Sequence, residues 1–581
     1  MSTSDVEELI RRIAAANALK YGKAKVNPVL AKIFSERPEL RPKAREIKQI
    51  VERIVQEINS LGQEELQSLA GDLAKRKKKE RERRWPVLPN ADKYDVIVTR
   101  VAPEPNGYPT LGHVKGLLVP FVYARLYGGR FLLRFEDTNP RVEKLEFYEA
   151  IREEFARVLE AAERELNLSP GKWDEEIIES NHLPKMYELA EKLIVQGDAY
   201  VCTCDAATVR KSRNSGVECE HRSHTVERNL ELWKQMLNGE LHEGEAHLRL
   251  KTDMKHPNRT MRDPGIFRIV EAEHPIHGNK YRVYPTYDFS ISVMDSLTGV
   301  THAFRSKEFE PHVEVQRTII RKLGLREYDM IQFGRITVEG IPLSKRYIRP
   351  LIKTGILEGW DDPRIPTLRG LFRRGITPEA LARFFFELGP SKVDSTVSFD
   401  ALAAVNRKIL DPKVPRYMFA PDPMKLKIEG FPEKIVAEVR VHPDRPEMGS
   451  RRIEVRSSDG RAEVYISGDD FRRLTRGDVI RLRNLATVEI KSVMSDEVSA
   501  VFKSREPTPD SKMIVQWVPK EDPTPVKVMK PLSPFSMAII GGFGEPKMRD
   551  LREGEHIHLV RFGFARVDSV GDTVRLIFSH G

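Results

Sequence analysis

The sequence predicts a multidomain α/β protein, and three observations support this fold class. Strands and helices alternate from about residue 94 to 166, the alternation breaks between about 202 and 273, and short strands separated by turns follow from about residue 411. The alternation is typical of a parallel sheet, and the break indicates an inserted domain. The short strands favour a C-terminal β-barrel or sandwich. A chain of 581 residues with 40% apolar content suffices for roughly three to five domains.

The N-terminal segment, residues 1 to about 70, is predicted to be helical, because apolar positions such as Leu9, Ile10 and Ile13 recur at helical spacing. A basic run at residues 75–84 follows and leads into a plausible linker. This run is interpreted either as a solvated helix face or hinge, or as a contact with an RNA backbone. The sequence leaves both interpretations open.

The catalytic half is predicted to begin with a strand at Tyr94–Val101, which leads through a Pro/Gly-rich loop into a helix. The further predicted elements are helices at about 111–127, 143–166 and 309–323, a strand at Phe131–Phe135, strands within about 281–304, and a mainly helical stretch at about 345–408. The predicted C-terminal strands are RAEVYIS, VIRLRN, ATVEI, MIVQWV, HIHLVRF and TVRLIFS.

Composition restricts the function classes. The net charge of +10, from 96 basic and 86 acidic residues, fits either a mixed soluble surface or a polyanionic partner. No run of about 18 apolar residues occurs, so no membrane span is expected. The polar N-terminus, which carries acids, is unlike a secretory signal, and a cytoplasmic location is expected. The three cysteines all lie within 18 residues, which argues against a disulfide framework.

Two segments are candidates for binding phosphate. The segment Arg100–Gly116 reads as strand, loop and helix, and a helix N-terminus offers free N–H groups to an anion. His113 lies in the first helical turn, where its imidazole could bond phosphate oxygens or serve only the structure. The segment Leu343–Arg346 places Lys345 on a Gly/Pro-flanked loop, a signal that is weak by itself.

Together the two segments resemble the HIGH and KMSKS signatures of class I aminoacyl-tRNA synthetases, in the expected order and about 230 residues apart. Six further matches to the glutamyl/glutaminyl branch occur in order and cover roughly residues 95–581: VAPEPNGYPTLGH, LLRFEDTNP, YPTYDFS, THAFRS, WDDPRIPTLRGLFRRG and HPDRPEMGSR. The last two are similar to the archaeal/eukaryotic glutamyl type and to glutaminyl enzymes, which carry a β-barrel anticodon domain.

This resemblance implies a Rossmann-type class I catalytic domain with an inserted domain, an N-terminal helical domain and a C-terminal β-barrel anticodon-binding domain. The expected boundaries are 1–90 for the helical domain, 91–199 and 276–335 for the catalytic halves, 200–275 for the inserted acceptor-end domain, 336–410 for the KMSKS loop and stem-contact helices, and 411–581 for two anticodon-binding barrels.

The resemblance also implies the nucleotide site. His113 and Lys345 are expected to be catalytic, with Mg²⁺ accompanying the nucleotide. The expected ATP-binding residues are Pro103, Thr110, Gly112, His113, Leu343, Ser344, Lys345 and Arg346. Two departures are present: Thr110 replaces the first histidine of HIGH, and Pro342-Leu343 replaces the Lys-Met that opens KMSKS. The catalytic assignment therefore depends on His113 and Lys345.

By the same resemblance, Glu136 would bind the α-ammonium of the amino acid, while Arg100 and Tyr287 would reach its side chain. Arg305 in THAFRS is the discriminating position, because glutaminyl enzymes carry an uncharged residue there. A buried guanidinium would be left unpaired by an amide, which favours glutamate. The alternative is an ion pair between Arg305 and a nearby protein acid such as Glu308.

The implied reaction activates L-glutamate with ATP and transfers it to the 3′ end of tRNA(Glu), with charging of tRNA(Gln) left open. The nearest rival function is that of a glutaminyl enzyme, against which Arg305 and the cysteine cluster argue. Three more distant functions remain open: a tRNA-independent nucleotidyltransferase, a glutamyl-transfer paralogue that modifies a tRNA base, and a noncatalytic RNA-binding relative.

The cysteines suggest a metal. Cys202, Cys204, Cys219 and His221 form the pattern C-x-C-x14-C-x-H, and three thiolates with one imidazole suit tetrahedral Zn²⁺. The same pattern would also arise from a chance cluster or from a degenerate site that has lost its metal. Some glutamyl enzymes carry a similar zinc-bearing insert that meets the tRNA acceptor end.

The C-terminal strands carry arginines between apolar positions, and these are either solvated or readers of the anticodon. They are Arg451, Arg452, Arg472, Arg473, Arg481 and Arg483.

Overall fold

A computed structural model of the chain describes residues 3–21, 23–37, 40, 43–70, 85–339 and 345–581. The chain divides into two compact units, Met1–Pro86 and Val87–Gly581. The predicted basic run at 75–84 lies outside the described residues, as do residues 342–344 of the second signature. None of the described helices is long and apolar enough to cross a membrane.

The N-terminal unit is helical, as its apolar spacing predicts. Its described helices are α1 (Thr3–Tyr21), α2 (Val26–Glu36), α3 (Ala44–Ile58) and α4 (Gln63–Ala70). Their apolar faces meet in one core, in which Ile10, Val29 and Ile54 are fully buried.

The second unit opens with a parallel sheet. Its first elements are β1 (Val98–Val101), α5 (Leu111–Leu126), β2 (Arg130–Phe135), α6 (Leu145–Leu166), β3 (Glu175–Ile178) and α7 (Leu183–Val195). The three strands pair in the order β1-β2-β3, all parallel. Because parallel strands end on the same edge, the loops after β1 and β2 meet there. Strand β1 begins at Val98, four residues later than predicted.

The parallel sheet is interrupted by a second, antiparallel one. Its elements are β4 (Ala199–Cys202), α8 (Ala206–Ser215), α9 (Val226–Asn238), β5 (His247–Leu250), β6 (Gly265–Ile269) and β7 (Val283–Pro285). The strands form a four-stranded sheet in the order β4-β5-β6-β7. The last strand, β7, lies beyond residue 275, where the sequence placed the end of the inserted domain.

The chain then returns to the parallel layer. The elements are α10 (Tyr287–Leu297), β8 (His302–Ser306), α11 (Val313–Leu323) and β9 (Asp329–Phe333). Strands β8 and β9 are parallel, and the Thr301 N–H donates to the Val98 carbonyl at 2.8 Å, which brings β8 beside β1. Strands were predicted within about 281–304, but residues Tyr287–Leu297 form helix α10, so the prediction was wrong there. Helix α10 is buried on nearly all sides, so its apolar residues show no helical periodicity in the sequence.

The next region is mainly helical, as predicted. It contains β10 (Ile336–Val338), α12 (Lys345–Lys353), α13 (Leu368–Arg374), α14 (Pro378–Leu388), β11 (Ser395–Val397) and α15 (Phe399–Leu410). Strands β10 and β11 pair in parallel. Strand β10 therefore leads directly towards the second signature.

The C-terminal part forms two seven-stranded sheets, each with its own apolar core. The strands are β12 (Arg416–Tyr417), β13 (Phe419–Pro421), β14 (Met424–Glu429), β15 (Lys434–Arg440), β16 (Ser450–Arg456), β17 (Arg461–Ile466), β18 (Val479–Leu482), β19 (Ala486–Val493), β20 (Glu497–Ser504), β21 (Met513–Val515), β22 (Trp517–Pro519), β23 (Thr524–Ser533), β24 (Ser536–Gly544), β25 (His556–Leu559), β26 (Gly563–Ser569) and β27 (Val574–His580); a short helix, α16 (Gly468–Phe471), follows β17. One sheet has the order β21-β18-β19-β20-β14-β17-β22 and the other β12-β25-β26-β27-β23-β24-β13, while β15 and β16 form a separate antiparallel pair. All six predicted strand segments contain strands.

Candidate active site

A cavity of about 410 Å³ opens at the carboxyl ends of β1, β2 and β8. Eight residues predicted to contact ATP or glutamate line this one cavity. They are Arg100, Pro103, Thr110, Gly112, His113, Glu136, Tyr287 and Arg305. Their roles remain predictions, but the fold brings them together from four separate segments of the chain.

The loop before α5 is pinned by the motif WDDPRIPTLRG. The Leu111 N–H donates to the Pro366 carbonyl and the Leu368 N–H donates to the Pro109 carbonyl, each at 2.9 Å. These bonds flank Thr110, the residue that precedes α5, and hold the helix N-terminus at the cavity. The motif therefore supports the first signature.

His113 has a defined orientation. Its Nδ1 atom accepts a hydrogen bond from the Thr110 backbone N–H at 3.0 Å and lies 2.9 Å from the Thr110 hydroxyl oxygen. A neutral imidazole that accepts at Nδ1 carries its proton on Nε2. The Thr110–His113 pair thus presents His113 as a hydrogen-bond donor, and Thr110 serves as the helix cap.

The second signature is only partly described. Leu343 and Ser344 lie outside the described residues, as do the side chains of Lys345 and Arg346. The backbone of Lys345 begins α12, and the Arg349 side chain of this helix donates to the Asn106 carbonyl at 2.8 Å. Since Asn106 belongs to the loop before His113, α12 lies beside the first signature.

A buried carboxylate next to the cavity is shared by three guanidiniums, two of which line the cavity. Asp295, on α10, accepts from Arg100 at 3.0 Å through both oxygens, from Arg134 at 2.8 Å and from Arg305 at 3.0 Å. Burial by itself would raise the pKa of Asp295, but the three arginines hold it well below its usual range. Two positive charges therefore remain uncompensated by Asp295.

Two further acids face this arginine cluster. Glu136 lies 3.4 Å from Arg134, and Glu179 lies 3.4 Å from the same side chain. Burial raises the pKa of Glu136 against the opposing effect of Arg134 and Arg100. Burial also raises the pKa of Glu179, to about 8. Of these two acids, Glu136 lines the cavity, and its side chain retains 17% exposure.

Arg305 forms an ion pair with a protein acid, but this acid is Asp295 and not Glu308, which the sequence suggested. Glu308 pairs with Arg335 at 2.9 Å, whereas Arg305 pairs with Asp295. The suggested partner was therefore wrong, because β8 directs Arg305 inward towards α10. Arg305 nevertheless lines the cavity, and its Nε atom has no hydrogen-bond partner among the described residues.

Sequence reasoning missed Asp295, Arg134 and Lys115. Each is a charged residue that directly follows an apolar one within a buried stretch, and charged side chains are rarely buried unless they are paired. The Lys115 ammonium, 3% exposed, donates to the Gly334 carbonyl at 2.6 Å and the Ser391 carbonyl at 3.3 Å. Charges inside apolar runs are the signal that could have found all three.

The four predicted metal ligands converge in the inserted sheet, where their ligand atoms all lie within 4.8 Å of one another. The Cys202–Cys219 and Cys204–Cys219 sulfur distances are 3.6 and 3.5 Å, and His221 Nδ1 lies 3.2 Å from Cys219. These separations suit the edges of a tetrahedron around Zn²⁺. The other His221 nitrogen lies 3.0 Å from the Thr203 hydroxyl oxygen, which orients the ring.

The cluster favours a thiolate at one of its three cysteines. Burial would raise the pKa of Cys202, but hydrogen bonds from His247 and from the Cys204 backbone N–H lower it to about 5. Burial and the neighbouring sulfurs raise the pKa of Cys204 and of Cys219. The thiolate is the form that binds metal. The donor set and its geometry therefore fit a zinc ion.

The six arginines singled out in the C-terminal strands differ in exposure and in their partners. Arg452, Arg472 and Arg473 are exposed, whereas Arg451 is paired with Glu545. Arg483 lines a second cavity of about 500 Å³ together with Arg416 of β12, Arg440 of β15 and Asn484, which lies with Arg483 in the turn between β18 and β19. Arg481 donates to the Arg505 carbonyl at 2.7 Å.

Comparison with known proteins agrees with this architecture. Residues 96–412 match the catalytic domain of the family described as tRNA synthetases class I (E and Q), and residues 414–505 match its anti-codon binding domain. A glutamate--tRNA ligase of Korarchaeum cryptofilum is 63% identical over 99% of this chain and all of its own, and one of Pyrococcus furiosus is 41% identical over the same shares. A solved glutamate-tRNA synthetase from Elizabethkingia anophelis covers 54% of this chain and 71% of its own, with 17% identity and a TM-score of only 0.39.

The catalytic domain and the anti-codon binding domain together define a class I tRNA synthetase. The chain belongs to the E and Q family of these enzymes.

Proposed function

We propose that this chain is a cytoplasmic glutamate--tRNA ligase, which activates L-glutamate with ATP and transfers it to the 3′ end of tRNA(Glu). The curated relatives that match its full length carry that activity in their names. The family also uses ATP with Mg²⁺.

The observation that carries the proposal is the position of Arg305 and Glu136 in one cavity with His113. A diacid with an ammonium group needs cations for its carboxylates and an anion for its nitrogen. Glu136 supplies the anion, and Arg100 and Arg305, which line the cavity and share the single charge of Asp295 with Arg134, supply the cations. Glutamine offers no charge to these two arginines, so positive charge that Asp295 does not balance would stay uncompensated.

The chemistry is adenylyl transfer followed by ester formation. An oxygen of the glutamate α-carboxylate bonds to the α-phosphorus of ATP, and the bond to pyrophosphate breaks. Negative charge grows on the phosphate oxygens, where His113 Nε2–H and the N-terminus of α5 donate hydrogen bonds. Lys345 is assigned the same task, with Mg²⁺ carried by the nucleotide. The ribose hydroxyl of the terminal adenosine then attacks the glutamyl carbonyl carbon, and AMP leaves.

We assign the remaining regions to the tRNA. The inserted sheet, expected at 200–275, would meet the acceptor end, and residues 336–410 would carry the KMSKS loop and contact the stem. Residues 411–581 would read the anticodon. The sheets of this last region support that assignment, since most strands of one sheet lie within the residues that match the anti-codon binding domain.

A structural zinc ion is the second part of the proposal. Cys202, Cys204, Cys219 and His221 would hold it, and four protein ligands leave no open position for substrate. Bound there, it would join β4 to the loop around Cys219. Its effect would be on the stability of the inserted domain.

A charging assay tests the function. The purified chain, ATP and Mg²⁺ are incubated with glutamate or glutamine and with tRNA(Glu) or tRNA(Gln). Esterification of glutamate to tRNA(Glu) is expected, and charging with glutamine alone would reject the proposal. Glutamate found on tRNA(Gln) as well would extend the substrate range to a second tRNA.

A further inference from the structure

Gln316 is a fully buried side chain on α11 that lies between two charged groups of the active site. Its Oε1 atom accepts a hydrogen bond from Arg305 Nη1. Its Nε2 atom donates to Asp288 Oδ1 at 3.0 Å. The amide thus connects the guanidinium that faces the cavity to a carboxylate on the neighbouring helix α10.

The direction of this amide follows from its partners. Asp288 is a carboxylate and can only accept, so the amide nitrogen must face it. His312 strengthens that constraint, because its Nδ1 lies 2.9 and 3.0 Å from the two Asp288 oxygens. The hydrogen bond to Asp288 raises the pKa of His312, which favours the imidazolium. The amide oxygen is therefore left to face Arg305.

Gln316 therefore holds the Arg305 side chain in place without neutralising its positive charge. Gln316 occupies Nη1, while Nη2 donates to Asp295 at 3.0 Å and to the Tyr328 hydroxyl oxygen at 3.3 Å. Nε stays without a hydrogen-bond partner among the described residues. A carboxylate at position 316 would hold the same nitrogen, but its charge would compete with a substrate carboxylate for Arg305.

We propose that Gln316 is a specificity-determining positioning residue: it orients Arg305 through a neutral acceptor and so leaves the positive charge available to the side-chain carboxylate of glutamate. This inference rests on the proposed function and deepens it. It assigns to Gln316 an effect on amino-acid affinity and on the choice between glutamate and glutamine, and no effect on nucleotide binding.

The test compares three variants. Gln316→Met keeps the length of the side chain and removes the acceptor. Gln316→Glu keeps the shape and adds a charge, and Gln316→Asn keeps the amide but draws it back from Arg305 by one methylene. A hydrogen bond to a charged group accounts for about 1.5–3 kcal/mol, which is about a 10- to 100-fold change in affinity.

We expect Gln316→Met to raise the KM for glutamate by about 10- to 100-fold, with the KM for ATP changed by less than about twofold. Gln316→Glu should raise the glutamate KM further and lower the preference for glutamate over glutamine in kcat/KM. Gln316→Asn should fall between wild type and Gln316→Met. Gln235→Leu, on the partly exposed face of α9, serves as the control and should change neither KM.

Wild-type charging is measured first. If the wild type does not charge glutamate, the proposed function fails. If it does, and the folded variants keep the wild-type glutamate KM or raise the glutamate and ATP KM values equally, the inference about Gln316 alone is overturned. Melting curves identify which variants are folded, and Gln316→Asn decides the question if the other two do not fold.

Discussion

The Asp295 carboxylate and the Arg305 guanidinium lie 3.0 Å apart beside the candidate active-site cavity, which Arg305 lines. Arg100 and Arg134 contact the same carboxylate. One acid therefore fixes three cations, and it can neutralise only one of them. The arrangement holds the arginines rigidly while preserving positive charge in the cavity, which a diacidic substrate requires.

Replacing Arg305 by glutamine should impair glutamate recognition. We expect Arg305→Gln to lower kcat/KM for glutamate by about a hundredfold or more, because the substrate carboxylate loses a buried cation. The measurement is steady-state charging of tRNA(Glu). Arg130→Gln is the control, since Arg130 is half exposed and pairs with Glu175 at the surface. Equal activity of the two variants would contradict the assignment of Arg305.

Removing the His113 imidazole should slow activation. We expect His113→Ala to lower kcat for ATP–pyrophosphate exchange, measured with tRNA present, by about 100- to 1,000-fold through loss of one donor to the transition state. Thr110→Val should cost less than about tenfold, because the Thr110 backbone N–H still bonds to Nδ1. A Thr110→Val defect as large as that of His113→Ala would show that the hydroxyl is essential.

Replacing Lys115 should impair the activation of glutamate with ATP more than the transfer of glutamate to tRNA. Its ammonium joins α5 to the Gly334 carbonyl, just before the strand that leads to Lys345. We expect Lys115→Met to raise the KM for ATP by about tenfold or more, through loss of charged hydrogen bonds. Transfer to tRNA from added glutamyl-adenylate should be unchanged. Lys144→Met, at an exposed position, is the control; equal losses in both steps would indicate only a general loss of folding.

Zinc content should depend on the cysteine cluster. We expect about one zinc ion per chain in the wild type and almost none in Cys219→Ser, with a lower melting temperature. Elemental analysis of protein purified without added metal provides the count. The exposed His242 lies outside the cluster, so His242→Asn should retain the metal. Full zinc content in Cys219→Ser would exclude this site.

The buried acid Glu143 should make stability depend on pH. Burial raises its pKa from 4.5 to about 9, so the folded chain keeps a proton that the unfolded chain releases. This retained proton on Glu143 stabilises the folded chain. The stabilisation is complete below about pH 4.5 and is lost as the pH rises through about 9. Glutamine cannot ionise, and Glu143→Gln should therefore melt higher than wild type at about pH 9, with a smaller advantage at about pH 5.

The melting temperature of each protein across that pH range is the measurement. Glu153→Gln, at an exposed position on the adjacent helix, should parallel the wild type. Asp137, whose pKa burial raises to about 6, adds a dependence of the same sign that both variants retain. A Glu143→Gln curve parallel to the wild-type curve would contradict the assignment.

Much of the active site could be predicted because its residues follow strand ends in recognisable order. Arg100 ends β1, Glu136 follows β2 and Arg305 lies on β8, so a parallel sheet must bring them to one edge. The zinc ligands were predicted for a related reason, since their spacing and chemistry suit one metal. The segment at 281–304 was misread where complete burial removes the periodicity on which prediction depends.

The sequence by itself determined the fold class, the segments that line the cavity and the chemical types that line it, because these depend on local spacing and on the order of strands and helices. Only the tertiary structure decided the partners: Asp295 rather than Glu308 for Arg305, and Gln316 between Arg305 and Asp288. Ion pairs and buried hydrogen bonds depend on which helix packs against which strand. That packing brings together residues whose distance in space cannot be inferred from their separation along the chain.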